Sequence, residues 1–176
     1  MNIGRRGFTL IEILIVVAII AILASVVLVG LGPTQQAGRD ARRLSDLREV
    51  QNGLELFYQD CGFYPGGTAT VGTCAKVTAA PTDWTTMGTI ISGIVPNIGT
   101  IPNDPSTNRT YSYGYWNVAP IGSGYLLGAI LENTNNAVFN GYTAPATIAS
   151  YTIVANAGAT AVTTCTAAAG EYCITL

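Results

Sequence analysis

The sequence predicts an α+β fold: one long N-terminal helix, membrane-spanning in its first half, packs its second half on an antiparallel β-sheet. Three observations predict it. Residues 8–31 are an apolar run in which Glu12 is the only ionisable side chain. Leu47, Val50, Leu54, Phe57 and Cys61 recur at helical spacing, an apolar stripe suited to lie on a sheet. Beyond Gly62 the chain turns to Thr, Ala, Gly and Asn, with short β-prone runs between Pro- and Gly-bearing turns.

The apolar run comes first in the chain and in the argument. Its 24 residues, rising ~1.5 Å each, reach about 36 Å, enough to cross a hydrocarbon layer of about 30 Å with some tilt. A domain this small has nowhere to hide a helix that is apolar all round. An ordinary secretory signal places its cleavage site after a shorter apolar stretch. Here Arg5 and Arg6 are followed by Gly7, and the run opens at Phe8. Processing is therefore expected ahead of the run, which stays as a permanent anchor.

Gly30, Gly32 and Pro33 should weaken or kink the helix, because proline removes a backbone donor and clashes with the preceding turn. Helical pattern resumes from Gln35 to about Asp60. Arg42 with Asp46 and Asp40 with Arg43 are expected to decorate its solvated outer face. A short helix is predicted around Trp84, Met87, Ile91 and Ile94, capped by Thr82 or Asp83 and ended by Pro96. Pro102–Pro105 is a turn. Residues 110–118 and 125–131 read as strands of a hairpin, and 151–155 and 172–176 as weaker strands. Short connections favour antiparallel pairing.

Several functions are excluded by what is missing. Histidine is absent, which removes Ser-His-Asp and Cys-His catalysis, His-ligated metals and a His proton switch. Charged residues are 10% of the chain and the net charge is −2, so bulk charge courts neither nucleic acid nor an anionic surface. Asp83, Asp104, Glu132 and Glu171 stand in a Thr- and Asn-rich context without further catalytic cues. No enzyme activity, cofactor or metal site is expected. Tyr111, Tyr113 and Tyr115 fall on one face of a strand beside Trp116, better explained by cross-strand aromatic pairs than by a stacking platform.

Cys61, Cys74, Cys165 and Cys173 all lie beyond the apolar run. Their even number and wide spacing, with no C-x-x-C pair, favour two disulfides over a zinc site. Of the three possible connectivities, the local one, Cys61–Cys74 with Cys165–Cys173, closes short loops and is the one expected. Disulfides put the head in an oxidising compartment. Arg39, Arg42, Arg43 and Arg48 after the run outnumber Arg5 and Arg6 before it, against the positive-inside rule. The cysteines settle the orientation, with the N-terminus in the cytoplasm and the head outside.

The stretch Arg5-Arg6-Gly7-Phe8-Thr9-Leu10-Ile11-Glu12, with the apolar run behind it, resembles the class III leader of type IV pilins and type II secretion pseudopilins. The resemblance implies that a prepilin peptidase cuts after Gly7 and methylates the new amine of Phe8, and that Glu12 serves filament assembly. A carboxylate deep in a bilayer costs ~2.5–3.5 kcal/mol and is normally paired or functional. Cleavage would set the Phe8 ammonium one turn from Glu12, and in a filament the N-terminus of a neighbouring subunit would neutralise it equally well. Asp104-Pro105 followed by Tyr111-Ser112-Tyr113, with Phe63-Tyr64-Pro65, resembles the heads of major pseudopilins and short pilins less specifically. The acidic residues with which major pseudopilins bind calcium have no counterpart here.

The resemblance implies a pilin-like chain: 1–7 a leader peptide, 8–31 a transmembrane helix, 32–61 the extramembrane half of the long helix, and 62–176 a β-rich head. Its partners would be copies of itself in a helical filament, the peptidase, an inner-membrane assembly platform and membrane lipid, with no nucleic acid. The precursor is expected in the inner membrane, and the filament in the periplasm or at the cell surface. The competing class is a membrane-anchored minor pilin whose head binds DNA or surfaces.

Overall fold

The computed structural model describes residues 7–67, 74, 77, 79–96, 98–146 and 148–176. Arg5, Arg6 and most of the expected leader lie outside them. Two compact units divide the chain, Met1–Gly38 and Arg39–Leu176, and the first helix, α1 (Leu10–Cys61), contributes to both.

In the first unit, the described side chains from Phe8 to Val27 are all exposed. Leucine, isoleucine and valine cover this part of α1 on every side, as a helix solvated by lipid requires. Among the described residues, α1 is the one helix long and apolar enough to cross a membrane. Gly32 and Pro33 lie inside α1, where Pro33 has no amide hydrogen to donate.

The second unit wraps a sheet and a short helix around the rest of α1. Helix α2 (Trp84–Ile94) begins at Asp83, whose carboxylate accepts from the Thr86 amide at 2.7 Å; Asp83 rather than Thr82 is the cap. Strands β1 (Ser112–Trp116), β2 (Tyr125–Ile130), β3 (Tyr151–Ala155) and β4 (Glu171–Thr175) form one sheet in the order β3-β1-β2-β4. All pairings are antiparallel, and β1–β2 is the hairpin the 120–124 turn predicts.

The sheet's two faces bury different residues. Toward the helices, Tyr113, Leu127 and Ala129 join Leu47, Val50, Leu54 and Phe57 of α1 and Trp84, Met87 and Ile91 of α2 in one core. On the other face Leu126, Ile130, Val162 and the Cys165–Cys173 pair form a smaller cluster. With both faces covered, β2 is buried along its whole length. Tyr111 and Tyr113 are fully buried and face no solvent, so they form no platform; Tyr115 opposes Tyr125, and Trp116 meets the Tyr151 ring at 5.1 Å.

The expectation that Asp40, Arg43 and Asp46 lie on a solvated face is overturned. Asp40 and Arg43 are 0% exposed and Asp46 8%. The Asp104–Ser106 turn and the start of the β2–β3 connection fold over this side of α1 and bury it. Arg43 donates through Nε and Nη2 to both oxygens of Asp104, through Nη1 to Asp40 and Glu132, and through Nη2 to the Ser106 hydroxyl. Asp40 also accepts from the Glu132 and Asn133 amides at 2.8 and 3.0 Å. The acids and the guanidinium compensate one another, which is the condition for burying charge. Only the Arg42–Asp46 pair, at 3.8 Å, keeps an exposed arginine.

Candidate functional site

The candidate site is the first turn of α1. Gly7 and Phe8 are non-helical and exposed, with Phe8 82% exposed. Thr9 is the residue before the helix, and its hydroxyl accepts from the Glu12 amide at 3.3 Å. In return Glu12 Oε2 accepts from the Thr9 amide at 3.2 Å and from the Thr9 hydroxyl at 3.1 Å. This is a reciprocal capping box, which satisfies two amides that a helix start leaves unpaired. The Thr-x-x-Glu spacing ahead of an apolar run is its sequence signal. Reading Glu12 only as a partner for an amine overlooked it. No bond is formed to Glu12 Oε1 among the described residues.

Of the residues expected to matter, Glu12 lies in the first turn of α1 with Gly7 and Phe8 just ahead of the helix, and Gly32 and Pro33 lie further along it. The four cysteines form Cys61–Cys74 and Cys165–Cys173. The first ties the end of α1 to the chain that follows. The second ties β4 to the loop lying over the sheet.

Sequence reasoning missed how the head's few charges are spent. Glu132 accepts from Arg39 Nε at 2.7 Å and from Arg43. Its carboxyl falls to about 2; hydrogen bonding from Arg39 is the main cause, opposed by burial and reinforced by Arg43. Glu171, 5% exposed, accepts from the amides of Thr163, Thr164 and Thr166 and from the Thr164 hydroxyl. Burial pushes its carboxyl up, but the Thr164 hydroxyl and these amides outweigh that and hold it below the ordinary value. Tyr111 donates to Asp46 at 2.7 Å, and Tyr64 and Tyr125 both donate to Glu55. Burial, followed by the Asp46 bond, raises the Tyr111 phenol; burial is also the first cause that pushes Tyr125 up to about 12. The available signal was scarcity. Of four acids in a long, nearly uncharged segment, Asp104 and Glu132 find the arginines of α1, while Asp83 caps α2 and Glu171 gathers loop amides.

Among the described residues no group of three or more acids or cysteines is arranged to hold a metal ion. The three acids that do converge, Asp40, Asp104 and Glu132, meet on a guanidinium. Chemically, the start of α1 offers an accessible peptide bond just ahead of the helix and, among the described residues, a carboxylate with one oxygen open.

Comparison with known proteins adds to this geometry. Residues 3–28 match the prokaryotic N-terminal methylation motif. The chain is 36% identical over 61 residues to the type II secretion system core protein G of Escherichia coli (strain K12), covering 35% of this chain and 42% of that protein. It is 36% identical over 80 residues to the protein of that name from Aeromonas hydrophila, covering 44% and 54%. For Dickeya chrysanthemi the identity is 30% over 77 residues, covering 44% and 50%. The chain thus spans about half the length of the curated relatives it matches. No solved structure matches.

Proposed function

The chain is similar to the type IV pilins and type II secretion pseudopilins, and from that premise we propose that it is a structural subunit of a pilus-like helical filament, nearest in kind to a secretion pseudopilin. A prepilin peptidase cuts after Gly7 and methylates the amine of Phe8. Residues 8–31 anchor the precursor in the inner membrane, with the head outside the cytoplasm, until an assembly platform moves it into the polymer. The reading assigns no catalysis to the chain.

One observation carries the reading: an exposed Gly7–Phe8 junction stands one turn ahead of the only ionisable side chain in a 24-residue apolar run. Apolar helices gain no hydrophobic energy by leaving lipid for one another, so packing and polar contacts must drive their association. Glu12 supplies such a contact. The capping box survives the cut, since Thr9 and Glu12 both lie beyond Gly7, and it holds the carboxylate on the first turn while Oε1 stays open to the amine of a neighbouring copy. The head, with few charges and two disulfides, forms the outer wall.

The N-terminal mass of the purified protein tests processing: a species beginning at methyl-Phe8 is expected, and intact Met1 in cells holding the peptidase overturns it. Glu12→Leu tests assembly. Polymer should vanish while membrane insertion persists, and unaltered polymer rejects the role given to Glu12.

A further inference from the structure

The sheet ends in two edge strands, and the chain treats them differently. The Leu131 amide donates to the Gly170 carbonyl, which sets the bonded pairs of β2 and β4 at Ala129–Tyr172 and Leu127–Ile174. The main-chain groups of Glu171 and Cys173 therefore point away from the sheet. Both amides find partners there: Glu171 donates to the Thr166 carbonyl at 3.0 Å and Cys173 to the Tyr142 hydroxyl at 3.1 Å. That edge is covered.

The β3 edge is open. The Asn117 amide donates to the Ser150 carbonyl at 2.8 Å, which sets the bonded pairs with β1 at Tyr115–Thr152 and Tyr113–Val154. The amides and carbonyls of Tyr151, Ile153 and Ala155 thus point outward, and among the described residues no hydrogen bond reaches them. Exposed edges are ordinarily blunted by a charge, a proline or a bulge. The β3 sequence, Tyr-Thr-Ile-Val-Ala, has neither charge nor proline, and it pairs with β1 residue for residue. No charged residue lies between Glu132 and Glu171. Donors and acceptors repeating every second residue, ~6.8 Å apart, are matched by another extended backbone.

The strand is complementary to itself. Turned about a two-fold axis through Ile153, a second copy sets Ile153 against Ile153, and Tyr151 of each copy against Ala155 of the other. All three outward residues of each strand then use both of their groups. A register slid by two residues either way leaves one of the three unpaired on each strand. Tyr151 and Ile153 both lie beside Gly114, on the face where Tyr151 packs against the cluster around Leu126; Ala155 follows by alternation. The pairing therefore lays a large ring beside a small side chain and joins two β-branched ones.

We propose that β3 is a contact surface for β3 of a second copy of the chain, antiparallel and centred on Ile153, joining two heads through one continuous sheet. The contact is isologous and uses up both open edges, so it closes at two copies. It goes beyond the filament reading, whose contacts run along the N-terminal helices and repeat without closing. Pairing of two five-residue strands falls short of the ~800 Å² per partner of a standard stable complex. The pair forms and parts readily, and a covalent trap records it.

The chain has no free cysteine among the described residues, so an added thiol reports on its own neighbour. Facing residues of a bonded antiparallel pair have Cα atoms ~5.5 Å apart, within disulfide reach. Full-length precursor is oxidised with copper–phenanthroline in membranes of cells without the peptidase, where no filament contact can stand in for the pair. Ile153→Cys is expected to give at least about fivefold more disulfide-linked dimer than Ala155→Cys, whose thiol lies ~14 Å from its own copy. Tyr151→Cys and Ala155→Cys should each stay largely monomeric alone and cross-link when co-expressed, which tests the register with Ile153 intact. Equal linking of Ile153→Cys and Ala155→Cys overturns the pairing, as does the absence of dimer from both Ile153→Cys and the co-expressed pair. A thiol at Ile153 that links instead to a different polypeptide gives the edge another occupant and also overturns it. The filament reading is untouched by these outcomes and fails separately, on Glu12→Leu.

Discussion

Arg43 and Asp104, 61 residues apart, meet side-on in the interior: Nε reaches Oδ2 at 2.8 Å and Nη2 reaches Oδ1 at 2.9 Å, with side chains 0% and 1% exposed. The pair joins α1 to the turn before β1, and the same guanidinium reaches Glu132 after β2. Removing one member of a buried pair leaves an unscreened charge, typically at a cost of about 3–5 kcal/mol. Arg43→Ala is expected to destabilise the head by that amount, measured as a shift of the urea midpoint of the full chain in detergent. Arg43→Lys should recover only part, since an ammonium cannot make the planar two-point contact. Wild-type stability in Arg43→Ala would show the network to be incidental.

Acid should loosen the same network. Glu132 has its carboxyl lowered from 4.5 to about 2 in the folded chain, so it contributes stability that is fully present above about pH 4.5 and is lost as pH falls toward 2. The melting temperature is expected to stay level from neutral pH to about 5 and to fall below that. Glu132→Gln should melt lower at pH 7 and fall less steeply in acid. Glu171, also lowered, keeps some slope in that variant. Parallel pH profiles for the two proteins would contradict the assignment.

Glu171 and the Cys165–Cys173 disulfide both tie the 163–166 loop to β4. The cysteines are eight positions apart, and the carboxylate gathers the amides of Thr163, Thr164 and Thr166. Glu171→Gln keeps the shape but removes the charge that those donors face, a loss of about 1–3 kcal/mol. Reduction should lower the melting temperature further, and amide exchange of residues 163–166 should accelerate in both cases. Protection unchanged by either treatment would mean that the sheet alone orders the loop.

Gly66 marks a close approach. Its φ is +117°, and a Cβ placed there would collide with the Tyr115 side chain. Gly66→Ala is expected to destabilise the head by more than ~1 kcal/mol, read from thermal melting; a neutral result would mean that Tyr115 swings aside freely.

Local signals made much of this fold legible in advance. The apolar run, the Leu47–Cys61 stripe, a cap at Thr82 or Asp83 and the hairpin turn depend on spacing along the chain, and spacing is what a helix or strand reads. The first turn of α1 was legible too, down to a Thr-x-x-Glu pattern whose capping geometry passed unread. The charged part of α1 was not. Asp40, Arg43 and Asp46 have the spacing of a solvated face, and nothing within a few residues says otherwise.

The chain by itself determined the elements, the apolar run at the start of α1 and the pairing of neighbouring cysteines, because each follows from residues close in sequence. Tertiary structure alone decided that Arg43 is interior, that Glu132 and Asp104 meet on it, and that Arg48 and Asp60 are left facing outward. Whether a charge is buried depends on which distant loop covers it. That loop stays only where its own acids find a cation, so neither side of the contact can be placed without the other.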